Sequence, residues 1–197
     1  MRKKSHISLS RFLITNMDKE ELLKHRKAFY FGSILPDCMP SFLTRRHTFD
    51  ETFYIVRKEI EYLIEHHSLE DGINRKFCRK LGMVTHYVAD YFTFPHNKNY
   101  TGSLKDHCQY EKILKHKLRE YVKAMESRRE RMKETRFETL EELFVFIHEV
   151  HEKYLKRLSE VKKDIQYIVD VCFEVVDAIL RFIEIQLSEN RMIPQTI

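Results

Sequence analysis

The stretch LGMVTHYVADYFTFPH, residues 81–96, differs from the rest of the chain because it carries almost no charge. Asp90 is its only formally charged residue, although 33% of the whole chain is Asp, Glu, Lys or Arg. Such a run predicts a core helix with one carboxylate inside it. That carboxylate needs a hydrogen-bonded partner or a metal ion, because an isolated buried charge is costly.

The neighbours of Asp90 support both of these interpretations. His86 precedes it by one helical turn, so the two side chains share a face. Gly82, one turn earlier, lets another backbone approach closely, and Pro95 fixes the direction in which the chain reaches His96. The stretch is therefore either a capped core helix with a satisfied His86–Asp90 pair or part of a metal site.

Further candidate ligands lie outside this stretch. His107 and Glu111 are one turn apart, a spacing that by itself is typical of a solvated helix start. Asp37 lies in a loop that His47 closes, and a lone loop Asp is usually a turn or cap residue. His6 near the start has no interpretable context. The other histidines lie in charged helical stretches and are predicted to be on the surface: His25, His66, His67, His116, His148 and His151.

Composition predicts an all-α fold in a single domain. The 197 residues include only 4 Gly and 4 Pro, too few for the frequent turns of a β-sandwich. Two loops, 30–47 and 92–103, interrupt the helices, and Asp18 is predicted to cap the second helix. We expect a metal-site core over residues 1–125 and a C-terminal helical pair over 137–190, separated by the charged segment 126–136. Apolar spacing predicts helices over 8–17, 19–29, 49–66, 68–91, 104–125, 137–158 and 161–188.

Charge and cysteine usage favour a cytoplasmic protein. The net charge of +5 weakly favours anionic partners. The four cysteines form no CxxC motif, which is typical of reduced thiols. The start of the chain lacks the long apolar region of a signal peptide. Residues 165–187 carry one stripe of charges, so they predict an amphipathic helix and no transmembrane segment.

In chain order the candidate ligands resemble the zinc-dependent phospholipase C family of bacteria. The fold and metal cluster of that family also occur in fungal and plant single-strand-specific nucleases. The core of the resemblance is H-x3-D-x5-H followed by H-x3-E, here HYVADYFTFPH and HCQYE, and it extends over about residues 1–120. The residues that carry it are His6, Asp37, His47, His86, Asp90, His96, His107 and Glu111.

The resemblance implies a cluster of two or three zinc ions. One zinc would be held by Asp37, His47, His86 and Asp90, and a second by His96, His107 and Glu111. A third would take His6, Asp90 as a bridge, and the amine and carbonyl of the first residue. That residue is a Trp in the family, whereas this chain has Met1, which the bulky Arg2 predicts to be retained. Cys38 stands where the secreted phospholipases have a Tyr that helps to hold choline.

The implied activity is hydrolysis of a phosphodiester by a metal-activated hydroxide. Asp37 would act as general base or ligate a zinc, and the resemblance supports both roles. We expect a phosphodiester or phospholipid substrate, transient contact with an anionic membrane and no stable nucleic-acid partner. Two alternatives stay open: a nuclease or phosphatase on the same cluster, or a non-catalytic, zinc-stabilised helical binding protein. The first would use the basic run Arg128, Arg129, Arg131, Lys133 and Arg136.

Overall fold

In the computed structural model of this chain, the described residues are 1–39, 46–66, 72–128, 132, 135–157 and 160–192. Within these ranges eight α-helices and no strand occur, so the predicted all-α fold is confirmed. Short 3₁₀ turns at Pro36–Cys38 and Phe94–His96 interrupt the two long loops. The helices are α1 (Lys3–Met17), α2 (Glu20–Lys24), α3 (Arg26–Gly32), α4 (Phe49–Glu65), α5 (Arg75–Tyr91), α6 (Leu104–Arg128), α7 (Leu140–Leu155) and α8 (Val161–Met192).

Helix α5 lies at the centre of the fold, as its charge-poor sequence predicted. It contacts α3, α4 and α8, and it also touches α1. Leu81, Val84, Val88 and Ala89 are buried along its length. Asp90 is fully buried among them. A carboxylate therefore sits at the C-terminal end of a core helix, where the backbone alone offers it no donor.

Helices α3 and α5 approach so closely that their backbones are in contact. A Cβ atom on Gly82 would lie 2.3 Å from the carbonyl oxygen of Phe29, and one on Gly32 would lie 2.0 Å from that of Arg79. Only glycine fits at such distances. The predicted close approach at Gly82 is confirmed, and it brings the loop after α3 against the face of α5 that carries His86.

The N-terminal helix boundaries differ from the prediction. Helix α1 begins at Lys3 instead of residue 8, so His6 lies inside a helix. The predicted helix 19–29 is divided at His25 into α2 and α3. Asp18 does not cap α2: it ends α1 with φ 49°, in the left-handed region. Asp tolerates this conformation better than most residues, which is why it ends a helix here.

The later boundaries shift for local reasons. Helix α5 begins at Arg75 because the Asn74 side chain accepts hydrogen bonds from the backbone N–H groups of Lys76 and Phe77. Thr139 caps α7 in the same way, so that helix begins at Leu140, three residues after the predicted start at 137. Some predicted features lie outside the described residues: 40–45 of the first loop, His67 with the start of the helix at 68, and most of the basic run from Arg128.

Buried apolar side chains from the described helices form one hydrophobic cluster, to which α1, α4, α5, α6, α7 and α8 all contribute. The division into 1–125 and 137–190 stays a prediction. All four cysteine thiols are unpaired. Among the described helices, none is both long enough and apolar enough to cross a membrane.

Candidate metal centre

The other seven candidate ligands form one cluster with Asp90. They come from α1, from the two 3₁₀ turns, from the segment just before α4, and from helices α5 and α6. Oδ2 of Asp90 lies 3.3 Å from Nδ1 of His47, 3.3 Å from Nε2 of His86 and 3.6 Å from Nδ1 of His96. Oδ1 of Asp90 lies 3.4 Å from Nε2 of His6. The satisfied His86–Asp90 pair is therefore only one part of a larger cluster.

The first group of ligand atoms belongs to His47, His86 and Asp90, which could hold one ion together. Nδ1 of His86 donates to the carbonyl of Ser33 at 2.8 Å, so its Nε2 presents a lone pair to the cluster. Nδ1 of His47 lies 3.0 Å from that Nε2. Asp37 borders this group, with Oδ1 3.7 Å from Nε2 of His86 and 3.8 Å from Nδ1 of His47.

The second group consists of His96, His107 and Glu111. Oε1 of Glu111 lies 3.3 Å from Nε2 of His107 and 3.5 Å from Nε2 of His96. The helical spacing of His107 and Glu111 places them on one face of α6. These side chains are 14%, 27% and 15% exposed, whereas Asp90 and His86 are wholly buried. Solvent therefore reaches the cluster from this end.

His6 and the amino group of Met1 occupy the inner side of the cluster. Both ring nitrogens of His6 are buried without a hydrogen-bond partner, as expected of an imidazole whose lone pair serves a cation. Its ligand atoms group with those of Asp37 and His86, a set that differs from the implied third site. The Met1 amine donates to Asp90 and lies 3.2 Å from Nε2 of His96 and 3.4 Å from Oε1 of Glu111.

The electrostatics of the cluster favour ionised Asp90 and Glu111 and neutral His6 and His96. Burial opposes ionisation of Asp90, but His96, the Met1 ammonium and other nearby imidazoles outweigh it, so the pKa lies well below its usual value. The pKa of Glu111 is lowered in the same way, mainly by His107 and His96 against the effect of burial. Burial and the neighbouring His86 lower the pKa of His6 to about 3, and burial lowers that of His96. Metal ions bind ionised carboxylates and neutral imidazoles, which are the protonation states favoured here.

The Met1 ammonium is a buried cation inside the cluster. Burial disfavours its charge, but the carboxylates of Asp90 and Glu111 more than compensate, and its pKa is raised above 8.0. A cationic group therefore already contacts the carboxylates that would hold metal. The amine would have to lose its proton to ligate zinc, so metal binding at this position must release a proton.

The donor set fits zinc. Imidazole nitrogens and carboxylate oxygens are its usual ligands, and structural or catalytic zinc sites use three or four of them. The ring nitrogens of His6 are buried without a hydrogen-bond partner, which fits a ligand position in such a site.

The sequence analysis did not identify two residues, His151 and Asp164, whose side chains hold the second loop in place. His151 was predicted to be a surface residue and is instead 4% exposed, with Nε2 donating to Oδ1 of Asn97 at 2.9 Å. Burial lowers its pKa to about 4. The prediction was wrong because the charged neighbours of His151 lie on other faces of α7. Its spacing of four from Ile147 and three from Tyr154, both buried, would have indicated the inner face. Of the other predicted surface histidines, His66, His116 and His148 are exposed and His25 is half-buried.

Asp164, at the start of α8, holds the segments that carry the second ligand group. Its Oδ2 accepts hydrogen bonds from the backbone N–H of Phe94 at 3.3 Å and from the hydroxyl of Tyr110. Phe94 lies two residues before His96, and Tyr110 immediately precedes Glu111. Burial raises the pKa of Asp164. No sequence signal connects Asp164 with residues more than fifty positions away.

Comparison with known proteins agrees with this geometry. No curated protein and no solved structure matched the chain. A family model described as zinc-dependent phospholipase C matches residues 5–161 of 197. The match includes all eight candidate side chains from His6 to Glu111, and it ends before Asp164. Since it covers well over half of the sequence, the chain belongs to the zinc-dependent phospholipase C family.

Proposed function

We propose that this chain is a zinc-dependent hydrolase that cleaves phosphodiester bonds, with a phospholipid or a small phosphodiester as substrate. The observation that supports it most is the convergence of three groups of ligand atoms around the buried Asp90. Membership of the family implies a phosphoric ester hydrolase and a phospholipid substrate. The proposal includes two or three zinc ions, with the Met1 amine as a ligand of the third. It also includes one helical domain and the predicted cytoplasmic location.

The charge balance of the cluster suits an anionic substrate. Asp37, Asp90 and Glu111 contribute −3, against +4 from two zinc ions or +6 from three. The occupied centre would therefore carry +1 or +3. Such a site attracts a phosphodiester anion and stabilises the charge that develops on it.

The residues divide between holding the ions and handling the proton. When bound, zinc supplies positive charge to phosphate oxygens and lowers the pKa of water toward ~7. Asp90 is fully buried between the groups and would bridge two ions. Asp37 is 11% exposed at the edge of the cluster, where it can orient a water and accept its proton. Asp37 as a direct zinc ligand is the other role that its position allows.

Turnover by the zinc-loaded chain tests the proposal. We expect hydrolysis of p-nitrophenylphosphorylcholine or bis-p-nitrophenyl phosphate, both of which are phosphodiesters. Asp37→Asn should lower kcat by ~100-fold or more if Asp37 handles the proton. If Asp37 is the general base, the zinc content of Asp37→Asn should equal that of wild type. If Asp37 is a zinc ligand, the zinc content of this variant should fall. Asp170→Asn, a change on the exposed side of α8, is the matched control and should keep full activity.

Other outcomes identify the alternatives. Turnover of p-nitrophenyl phosphate alone would indicate a phosphatase, and salt-sensitive cleavage of single-stranded DNA would indicate a nuclease. Absence of any turnover with zinc bound would contradict the proposal. A non-catalytic, zinc-stabilised protein would then remain, with every ion four-coordinate and no position for water.

A further inference from the structure

A groove lined by cations lies between α2–α3 and the N-terminal half of α5. It has a volume of about 910 Å³, and no Asp or Glu lines it. We call it the basic groove. Its cations are Lys24, Arg26, Lys27, Arg75, Lys76 and Arg79.

The charge of the basic groove is largely unneutralised. Lys76 donates to the hydroxyl of Tyr62, but the other five cations form no ion pair with any described residue. Arg26 bonds only to the carbonyl of Leu23. A concave patch of one sign raises the local concentration of anions, and each such cation strengthens attachment to an anionic lipid surface.

Exposed apolar side chains lie in the basic groove and near it along the chain. Phe31 lines the basic groove and is 51% exposed, and Leu23, next to Lys24, is 49% exposed. Met39, beyond the following turn, is 40% exposed. Cations beside exposed apolar side chains are typical of surfaces that rest at the boundary between lipid headgroups and acyl chains. Phe31 is the only Phe, Tyr or Trp among the residues that line the groove, whereas single strands bind where successive aromatic side chains stack on bases, so a lipid surface is favoured over a nucleic acid.

The basic groove is connected to the metal centre through the α3–α5 contact. Phe31 lies two residues before Ser33, whose carbonyl accepts the hydrogen bond from His86. Met39 lies two residues after Asp37. Arg79 and His86 are seven residues apart on α5, which places them on one face about 10 Å apart along the axis. A surface bound in the basic groove would therefore adjoin the Asp37 side of the cluster.

We propose that the basic groove docks this protein on the anionic surface of a phospholipid membrane. Its cations contact lipid phosphates and anionic headgroups, while Phe31 enters the acyl boundary. The proposal rests on the proposed function in one respect, namely that the substrate is a phospholipid. Docking itself involves none of the zinc ligands.

The chain offers a matched control on another surface. A second cationic groove, of about 420 Å³, lies between α1 and α6 and includes Lys4, Arg11 and Arg119. None of the residues that line it is a large exposed hydrophobic side chain. Removing three cations from each groove lowers the net charge equally, so a difference between the two variants reports location and not total charge.

Vesicle co-sedimentation of the zinc-loaded full chain tests the proposal, with phosphatidylcholine vesicles containing or lacking phosphatidylserine. The variant Lys27→Gln/Arg75→Gln/Arg79→Gln should bind phosphatidylserine vesicles about 100-fold more weakly, which corresponds to about 3 kcal/mol. The control Lys4→Gln/Arg11→Gln/Arg119→Gln should bind within a few-fold of wild type. Phe31→Ser should weaken binding that persists at high salt, because it removes apolar contact and no charge.

Three results would overturn the proposal. The basic-groove variant and the control variant could lose vesicle binding equally, which would mean that net charge and not the position of the cations determines binding. Wild type could fail to distinguish the two vesicle types. A single-stranded oligonucleotide could bind more tightly than vesicles and depend on the same three cations. Hydrolysis of bis-p-nitrophenyl phosphate without vesicles is a separate readout: loss of turnover there counts against the proposed function, and loss of vesicle binding alone counts against docking.

Discussion

At the scale of single residues, the cluster depends on the burial of the Asp90 carboxylate. Four imidazoles and the Met1 amine lie around it, and burial would raise its pKa if they were absent. A carboxylate in such a position is stable only with cations nearby. Zinc supplies that charge more effectively than one ammonium group.

Asp90→Asn should lower zinc content and thermal stability together. The amide keeps the shape of the side chain but loses the charge that two ions would share. We expect loss of at least one zinc per chain by metal analysis, and a smaller drop in Tm on adding EDTA than in wild type. Asp170→Asn is the control and should match wild type. An unchanged metal count in Asp90→Asn would remove Asp90 from the centre of the cluster.

His151→Gln should remove a pH-dependent part of the stability. In the unfolded chain His151 takes up a proton near pH 6.5, whereas the folded chain delays this until about pH 4. The unfolded state binds more protons in this window, so wild-type stability falls as pH decreases from 7 to 4, by up to about 3 kcal/mol. Glu152 and Asp50 oppose this effect of burial, and His148 and Lys98 reinforce it.

Urea unfolding at pH 7, 5.5 and 4 measures the effect as a difference between variant and wild type, because the other histidines contribute equally to both. Gln can still donate to Asn97, so the contact at pH 7 is kept. His148→Gln, an exposed change on the same helix, is the control. A difference between His151→Gln and wild type that stays constant with pH would contradict the prediction.

At the scale of elements, α8 holds the loop and helix that carry the second ligand group. Asp164→Ala leaves the N–H of Phe94 and the hydroxyl of Tyr110 without their acceptor. We expect one zinc to bind 10–100-fold more weakly, since residues that orient metal ligands contribute about that much. Asp164→Asn keeps an acceptor oxygen and should restore part of the loss. Zinc titration against a competing chelator measures each affinity.

A merely structural role for Asp164 would give another pattern. The melting temperature would then fall while the zinc affinities of the folded protein stayed at the wild-type values. Asp170→Ala, on an exposed position of the same helix, controls for a general effect of truncation on α8.

At the scale of the whole molecule, the ligand set connects parts of the chain that are distant in sequence. His6 lies on α1, His47 precedes α4, and Glu111 lies on α6. An unfolded chain holds no such arrangement, so the free energy of zinc binding adds to that of folding. Removing the metal leaves several buried polar groups without a counter-charge.

Zinc removal should therefore lower Tm by about 10 °C, on the basis of ~4 kcal/mol of binding free energy and ~2–4 °C per kcal/mol for a chain of this size. Calorimetric melting with EDTA and with excess zinc measures the shift, and re-addition of zinc should reverse it. Magnesium at the same concentration is the control. An equal Tm after verified metal removal would mean that the cluster does not stabilise the fold.

Much of the fold follows from local sequence patterns. Few glycines and regular apolar spacing predicted the helices, and the lack of charge over 81–96 predicted that α5 would be central. Helical spacing put His86 with Asp90 and His107 with Glu111 on common faces, but the cluster itself was implied only by the resemblance to the zinc-dependent phospholipase C family. The inferences about helices succeeded because each depends on neighbours within a few residues.

The tertiary structure alone decided the contacts between residues that are far apart in the chain. The burial of His151, the contact of Asp164 with Tyr110, and the meeting of Lys27 with Arg79 have no local signal. Sequence by itself determined which helices form and which residues could bind metal. Packing determined which of them are buried, what holds them, and where unpaired cations meet, because burial and charge depend on neighbours that only the folded chain brings together.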